Sequence, residues 1–177
     1  MSSSLTLQRL VPGADAEWCA RLMAGSEPWI TLGRSYEQSL RIILDPARES
    51  YLALEGDARS GFVILCTVGP FAGYLQTLCV SPDRRGSGLG TRLLAMAEER
   101  LFAMSPNVFL CVSSFNPAAR RLYERQGYAL VGELPDYLVR GYSELLFRKT
   151  RGPWSDFAPP AVESGLGNAT EREPGAG

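Results

Sequence analysis

The sequence contains no histidine. That absence removes imidazole as a proton carrier, so Ser-His-Asp and Cys-His mechanisms are excluded, and histidine-ligated zinc centres go with them. Any acid–base work falls to Asp, Glu, Tyr, Cys, a lysine or water. Cysteine is sparse: Cys19, Cys66, Cys79 and Cys111 are the four, and none are in CxxC spacing. Thiols in such apolar runs read as buried and free, which fits a reducing cytoplasm, and no metal site is expected. No apolar run approaches the roughly 20 residues that span a bilayer. Residues 1–10 lack a basic stretch followed by an apolar one, so no signal peptide is expected. An excess of either charge is also missing, since 18 Lys and Arg stand against 19 Asp and Glu. Nothing in that balance points to nucleic acid or a membrane surface as a partner.

What is present is an ordinary globular composition, 45% hydrophobic and 21% charged over 177 residues. That length suits one domain with a real core. Residues 6–11 read as a strand. Asp15 is placed to cap a helix reaching residue 24, and Ser35 to cap a second one with Leu40, Ile43 and Leu44 as its apolar stripe. Strands follow at 51–55, 61–68 and 74–80, the first two joined by a Gly56-Asp57 hairpin turn. A glycine-rich loop at 84–90 then opens a strongly periodic helix carrying Leu89, Leu93, Leu94, Ala97 and Leu101. A strand at 108–112 precedes a helix that starts at Asn116-Pro117 and stops at Gly127. Strands at 128–131 and 144–148 complete the order β-α-α-β-β-β-α-β-α-β-β, an α/β fold with a mixed sheet covered by helices. The domain spans residues 1–150. Residues 151–177 are rich in Pro, Gly, Ala and Glu without periodicity and read as a disordered tail, with Trp154 and Phe157 placed to pin its first part.

The run Arg84-Arg85-Gly86-Ser87-Gly88-Leu89-Gly90-Thr91 lies between a strand and a helix. Glycines let backbone N–H groups approach an anion, and the helix start adds unpaired donors and the positive end of its dipole. Two arginines add charge, which together makes a pyrophosphate cradle. From the glycines alone, an empty turn is an equally good reading. A Walker A loop would need Gly-Lys-Ser/Thr, and no lysine is there. A dinucleotide fingerprint would need an acid about 20 residues on, where the chain is apolar.

Two segments carry a resemblance. Residues 78–94, with Arg85-x-x-Gly88-x-Gly90 at their centre, are similar to the central motif of the GNAT superfamily of acyl-CoA N-acyltransferases. Residues 116–128, with Asn116, Ala119, Leu122-Tyr123 and Gly127-Tyr128, resemble that superfamily's second motif. The clear likeness covers residues 74–132, and of the branches it looks most like the RimI type, which acetylates protein N-termini. The resemblance implies a mostly antiparallel six- to seven-stranded sheet, splayed at its central strands and flanked by about four helices.

It also implies roles. Acetyl-CoA would be the co-substrate, its pyrophosphate held by backbone N–H groups of the loop, with Arg84, Arg85, Gly86, Ser87, Gly88, Leu89, Gly90 and Thr91 as the cradle. Leu78 and Val80 would pair with the pantetheine arm as a pseudo-strand. Asn116 would bond that arm, cap its helix, or do both. Tyr123 would be the general acid that protonates the departing thiolate. For the base, RimI-type enzymes carry a glutamate where this chain has Cys111, so Glu27, Tyr74, Glu133, Asp136 or a water chain take its place as candidates. The acceptor would sit among Pro28, Trp29, Asp136, Tyr137 and Tyr142, with Glu27, Glu133 and Asp136 suited to a cationic amine. Expected is a monomeric or homodimeric cytoplasmic enzyme that moves an acetyl group to a primary amine, of a protein N-terminus or a small molecule, by direct attack. The alternatives are an acyl-CoA sensor without turnover and an interaction protein with an empty loop.

Overall fold

The structure is a computed structural model, which describes residues 4–69 and 72–159. The chain order is β1 (Leu5–Arg9), α1 (Ala14–Ala24), α2 (Tyr36–Ile43), β2 (Glu49–Glu55), β3 (Ala58–Cys66), β4 (Tyr74–Val80), α3 (Leu89–Phe102), β5 (Asn107–Ser113), α4 (Pro117–Arg125), β6 (Ala129–Pro135) and β7 (Ser143–Thr150). The expected order therefore holds. The sheet runs β1-β2-β3-β4-β5-β7-β6. Every neighbouring pair is antiparallel except β4 and β5.

That one parallel pair positions the site. β4 and β5 share a single register pair, Tyr74 with Phe109, beside a bond from Phe109 N–H to Gly73 O. Beyond it the strands diverge, so the sheet is splayed as the resemblance implies. A register shift between Ile64 and Leu65 leaves Gln76 as the extra residue of a bulge in β4 at this point, and bulges bend the strand that carries them.

Each face of the sheet has its own core. One holds Leu93, Leu94, Ala97 and Leu101 of α3 against Val63, Leu75, Leu110 and Phe147. The other packs Cys19, Ala20 and Met23 of α1 and Ile43 of α2 on Leu52, Phe62 and Ile64. The alternation along β2 and β3 feeds both layers, with Ala53, Val63 and Leu65 on one side and Leu52, Phe62 and Ile64 on the other, since successive side chains point to opposite faces.

Boundaries differ from expectation where polar residues do structural work. α1 begins at Ala14 with Gly13 as its N-cap, and Asp15 lies inside the first turn. The Asp15 carboxylate sits 2.6 Å from the Arg59 guanidinium, which satisfies it better than a cap would while keeping it at the favourable end of the helix dipole. β3 starts at Ala58, before the apolar run, because the Gly56-Asp57 turn lets Ala58 pair at once with Glu55. Ser35 caps α2 as expected, with a full capping box to Gln38. Past β7, the Arg151 N–H bonds Pro106 O at 2.8 Å and its guanidinium lies over the Phe102 ring. A short 3₁₀ turn at Trp154–Asp156 follows, and Trp154 and Phe157 pack edge to face on each other. Residues 160–177, the bulk of the expected tail, lie outside the described residues.

Candidate active site

The divergence of β4 from β5 opens a cavity of about 920 Å³, within the size range of small-molecule sites. One end is the glycine-rich loop. Gly86 and Gly88 take φ of 77° and 83°, a region that side chains with a Cβ rarely enter. Gly88 is also the N-cap of α3, whose first turn contains no acid and receives no side-chain cap. The free N–H groups there face the cavity end with the helix dipole behind them.

Arginine placement is more constrained than the sequence indicates. Arg84 is ion-paired to Glu55, which Arg92 also meets at 3.0 Å. The Arg84 Nε is buried without a hydrogen-bond partner among the described residues. Arg85 donates to Val80 O at 3.4 Å and to Ser26 Oγ at 3.2 Å, tying the loop to the α1–α2 connection. Ser87 donates to Arg84 O, and Leu89 is core. Arg84, Arg85, Gly86 and Gly90 line the cavity, whereas Ser87, Gly88, Leu89 and Thr91 do not.

Along the wall, Ser81 N–H bonds Ser60 O on β3 at 2.9 Å. Strand alternation then turns the backbone groups of Cys79 toward β3 and those of Leu78 and Val80 into the slot. The bond that Val80 O accepts from Arg85 agrees with this direction.

Tyr123 closes the middle of the cavity. Its position follows from how α4 ends. Gly127 has φ 86°, Gly127 N–H bonds Glu124 O, and Tyr128 N–H bonds Tyr123 O, a Schellman stop with the Tyr128 ring edge-on to Tyr123. The Tyr123 ring is 8% exposed, and no hydrogen bond to its hydroxyl is found among the described residues. Burial pushes the phenol well above its ordinary range, so it stays protonated. At the start of the same helix, Asn116 Oδ1 accepts from Ala119 N–H, so the capping role is present while Asn116 also lines the cavity.

A second buried polar group lines the same cavity from the C-terminal half-sheet. Glu144, on β7, is 5% exposed, lines the cavity and accepts from Ser113 Oγ at 2.5 Å. Burial raises its pKa against the lowering effect of that bond. Sequence reasoning missed it, since in the sequence Glu144 stands only as the first residue of the expected strand at 144–148. The available signal was an acid in register with Ser113 on the face shared with Leu146. Beside it, Tyr74 bonds Cys111, and burial first, then Cys111 and Glu144, push the Tyr74 phenol far up. Cys111 is raised as well, chiefly by burial.

The other expected residues separate. Glu27, Pro28, Trp29 and Tyr137 also line the cavity. Glu27 is exposed and accepts from Thr31 N and Oγ1. Glu133 is on the exposed face of β6, paired with Leu145, and does not line the cavity. Asp136 accepts from Gly141 N–H at 2.6 Å, closing its own turn. Tyr142 packs on Phe115, also away from the cavity.

Known proteins are similar to this chain in sequence and in fold. Residues 15–128 match the acetyltransferase (GNAT) family. Over 147 residues the chain is 31% identical to the N-alpha-acetyltransferase RimI of Mycobacterium tuberculosis, spanning 78% of this chain and 89% of that protein. Over 133 residues it is 32% identical to mycothiol acetyltransferase of Kineococcus radiotolerans, covering 73% of this chain and 44% of that protein. In fold it resembles the spermidine/spermine N-acetyltransferase SpeG of Vibrio cholerae, with TM-score 0.65 and 22% identity over 84% of this chain and 93% of that one. It also resembles an acetyltransferase from Thermus thermophilus, with TM-score 0.66 and 22% identity over 85% and 99%. The chain belongs to the GNAT family of acetyltransferases.

Proposed function

We propose that the chain moves an acetyl group from acetyl-CoA to a primary amine by direct attack within a ternary complex. The observation that carries this reading is that one cavity is lined by both the buried, protonated phenol of Tyr123 and the buried carboxyl of Glu144. The residues present fit acetyl-CoA. The acid-free start of α3, the open glycines and the orphaned Arg84 Nε suit a pyrophosphate, and the backbone groups of Leu78 and Val80 offer a strand edge to an amide-bearing arm. Bound there, acetyl-CoA supplies an activated acyl group and a thiolate as leaving group.

The remaining work belongs to the chain. Backbone N–H groups from Gly86 to Gly90 hold the anionic end, and a slot-facing N–H of β4 polarises the thioester oxygen. Tyr123 delivers its proton to the departing sulfur, and burial keeps that proton in place until then. Glu144 takes the proton of the incoming ammonium, directly or through water. It is better placed than Glu27, which is exposed and bonded to Thr31, than Glu133, which lies off the cavity, or than Tyr74, whose phenol burial holds protonated. Pro28, Trp29 and Tyr137 guide the amine, of a protein N-terminus or a small molecule.

The first experiment is a thermal-shift titration with acetyl-CoA beside free CoA and NAD, repeated on Arg85→Ala with Gly88→Ala. A ligand at one hundred times its Kd adds about 2.7 kcal/mol. A shift specific to CoA species and lost in the double variant, followed by CoA release with an amine, supports the reading. A shift without release from any amine would leave a sensor of acyl-CoA instead. No shift with a CoA species overturns it.

A further inference from the structure

A second cavity, of about 480 Å³, adjoins the first. The two share Leu32, Arg34 and Leu138 as walls, so the second opens from the acceptor end of the slot, away from the glycine loop. Its charged lining is unbalanced: Arg34, Arg41 and Arg48 face one acid, Asp45. Asp45 is 3.5 Å from Arg48 Nε and also accepts from Ala47 N–H. Arg41 sits on α2 near Glu37, whose carboxylate already accepts from Ser35 Oγ at 2.8 Å.

Arg34 is the informative member. No ion pair or hydrogen bond to its side chain is found among the described residues, and its Nε is fully buried without a partner. Burial, then the repulsion of Arg48, both disfavour its charge. A guanidinium cannot escape by losing its proton at neutral pH, so burying its Nε without a partner in this half-buried residue is a standing cost. Three arginines facing a single carboxylate, Asp45, which of the three engages Arg48 alone, are stabilised by an oxyanion, which guanidinium forks bind in bidentate fashion.

We infer that the second cavity is an anion subsite of the acceptor, so that the amine acetylated here carries a carboxylate or a phosphate which Arg34 and Arg41 hold while the amine reaches toward Glu144. This inference rests on the transferase reading, and it replaces the cationic acceptor expected from Glu27, Glu133 and Asp136. Two of those three acids lie off the cavity, whereas the arginines share its wall.

The test has two arms. In the first, inorganic phosphate and glutarate are titrated into the free protein at constant ionic strength, with chloride as reference, and Tm is followed. Phosphate or glutarate raises Tm in the parent protein, and neither does in Arg41→Gln. Arg34→Met removes the unpaired charge and raises Tm without anion while abolishing the anion shift. A structural role for Arg34 would instead lower Tm. In the second arm, CoA release is measured with ω-amino carboxylates of increasing length, phosphoethanolamine, and the matched ω-amino amides and diamines. Anionic acceptors win by about tenfold or more in kcat/KM. Arg41→Gln raises their KM by a similar factor, Arg41→Lys restores part of it, and the KM for acetyl-CoA stays unchanged. The better of carboxylate and phosphate names the source. Equal anion shifts in parent and Arg41→Gln, or amides and diamines turned over as well as anionic amines, overturn the inference. Anion binding without turnover of any anionic amine, with the acetyl-CoA shift intact, overturns the acceptor role. Loss of the acetyl-CoA shift would sink the transferase reading and the acceptor role with it, while the phosphate titration still reads anion binding by the arginines on its own.

Discussion

In the proposed reaction two side chains divide the proton traffic, and burial acts on both in the useful direction. Tyr123 is raised, so it remains an acid; Glu144 is raised, so its ionised form is a stronger base than an exposed carboxylate. Tyr123→Phe keeps the ring against Tyr128 and removes the proton. Its kcat falls by about a hundredfold or more, with little change in KM for acetyl-CoA, in a steady-state assay. Glu144→Gln keeps an acceptor for Ser113 and removes the base. Activity of the parent rises with pH as Glu144 ionises, at higher pH than for an exposed glutamate, and this acidic limb is absent from the variant's kcat/KM profile. Stability moves the other way. A carboxyl raised on folding contributes stability below its unfolded pKa that is lost as pH rises through the folded one. Glu144→Gln therefore melts no lower than the parent at neutral pH while being nearly inactive, which paired melts at pH 4.5 and 7.5 check. Tyr123 was legible because a tyrosine follows a leucine in a recognisable motif. Glu144 was not, since an acid opening a strand looks like solvent exposure until the partner strand puts Ser113 opposite.

At the scale of elements, turns and stops were the easiest features to read because their chemistry is local. Ser35 with Gln38 and Gly127 behind α4 each satisfy orphaned backbone groups within a few residues. Ser35→Ala removes the cap on α2 and costs about 1 kcal/mol, measured by denaturant midpoint. Because α2 also carries Arg41, the same variant weakens phosphate binding if the arginine cluster is a site. Gly88→Ala forces a Cβ into a left-handed position, at about 1–2 kcal/mol, and disturbs the loop that begins α3. Both lowered stability and a smaller acetyl-CoA shift are expected. What did not show locally was the long-range bookkeeping of charge. Arg84 looked free to meet phosphate, yet Glu55, 29 residues earlier, already holds it, and Asp15 looked like a cap until Arg59 was found beside it.

For the whole molecule, strand order and the splay followed from the resemblance and from where glycine and proline punctuate the chain, while the second cavity came only from three dimensions. Arg34, Arg41 and Arg48 lie on two connections and a helix, and no periodicity links them. The splay predicts uneven protection. Amide protons of Leu78 and Val80 exchange faster than those of Val63 and Ile64 in β3, and they slow when acetyl-CoA is present, as hydrogen exchange will show. The single rung between β4 and β5 has a broader consequence. The protein is built as two incomplete half-sheets that meet at Tyr74 and Phe109, with α3 packed across both. A ligand laid along β4 supplies rungs that the chain itself omits. The two halves are then most firmly joined during the reaction and loosest between turnovers, so the departing product unfastens the molecule as it leaves.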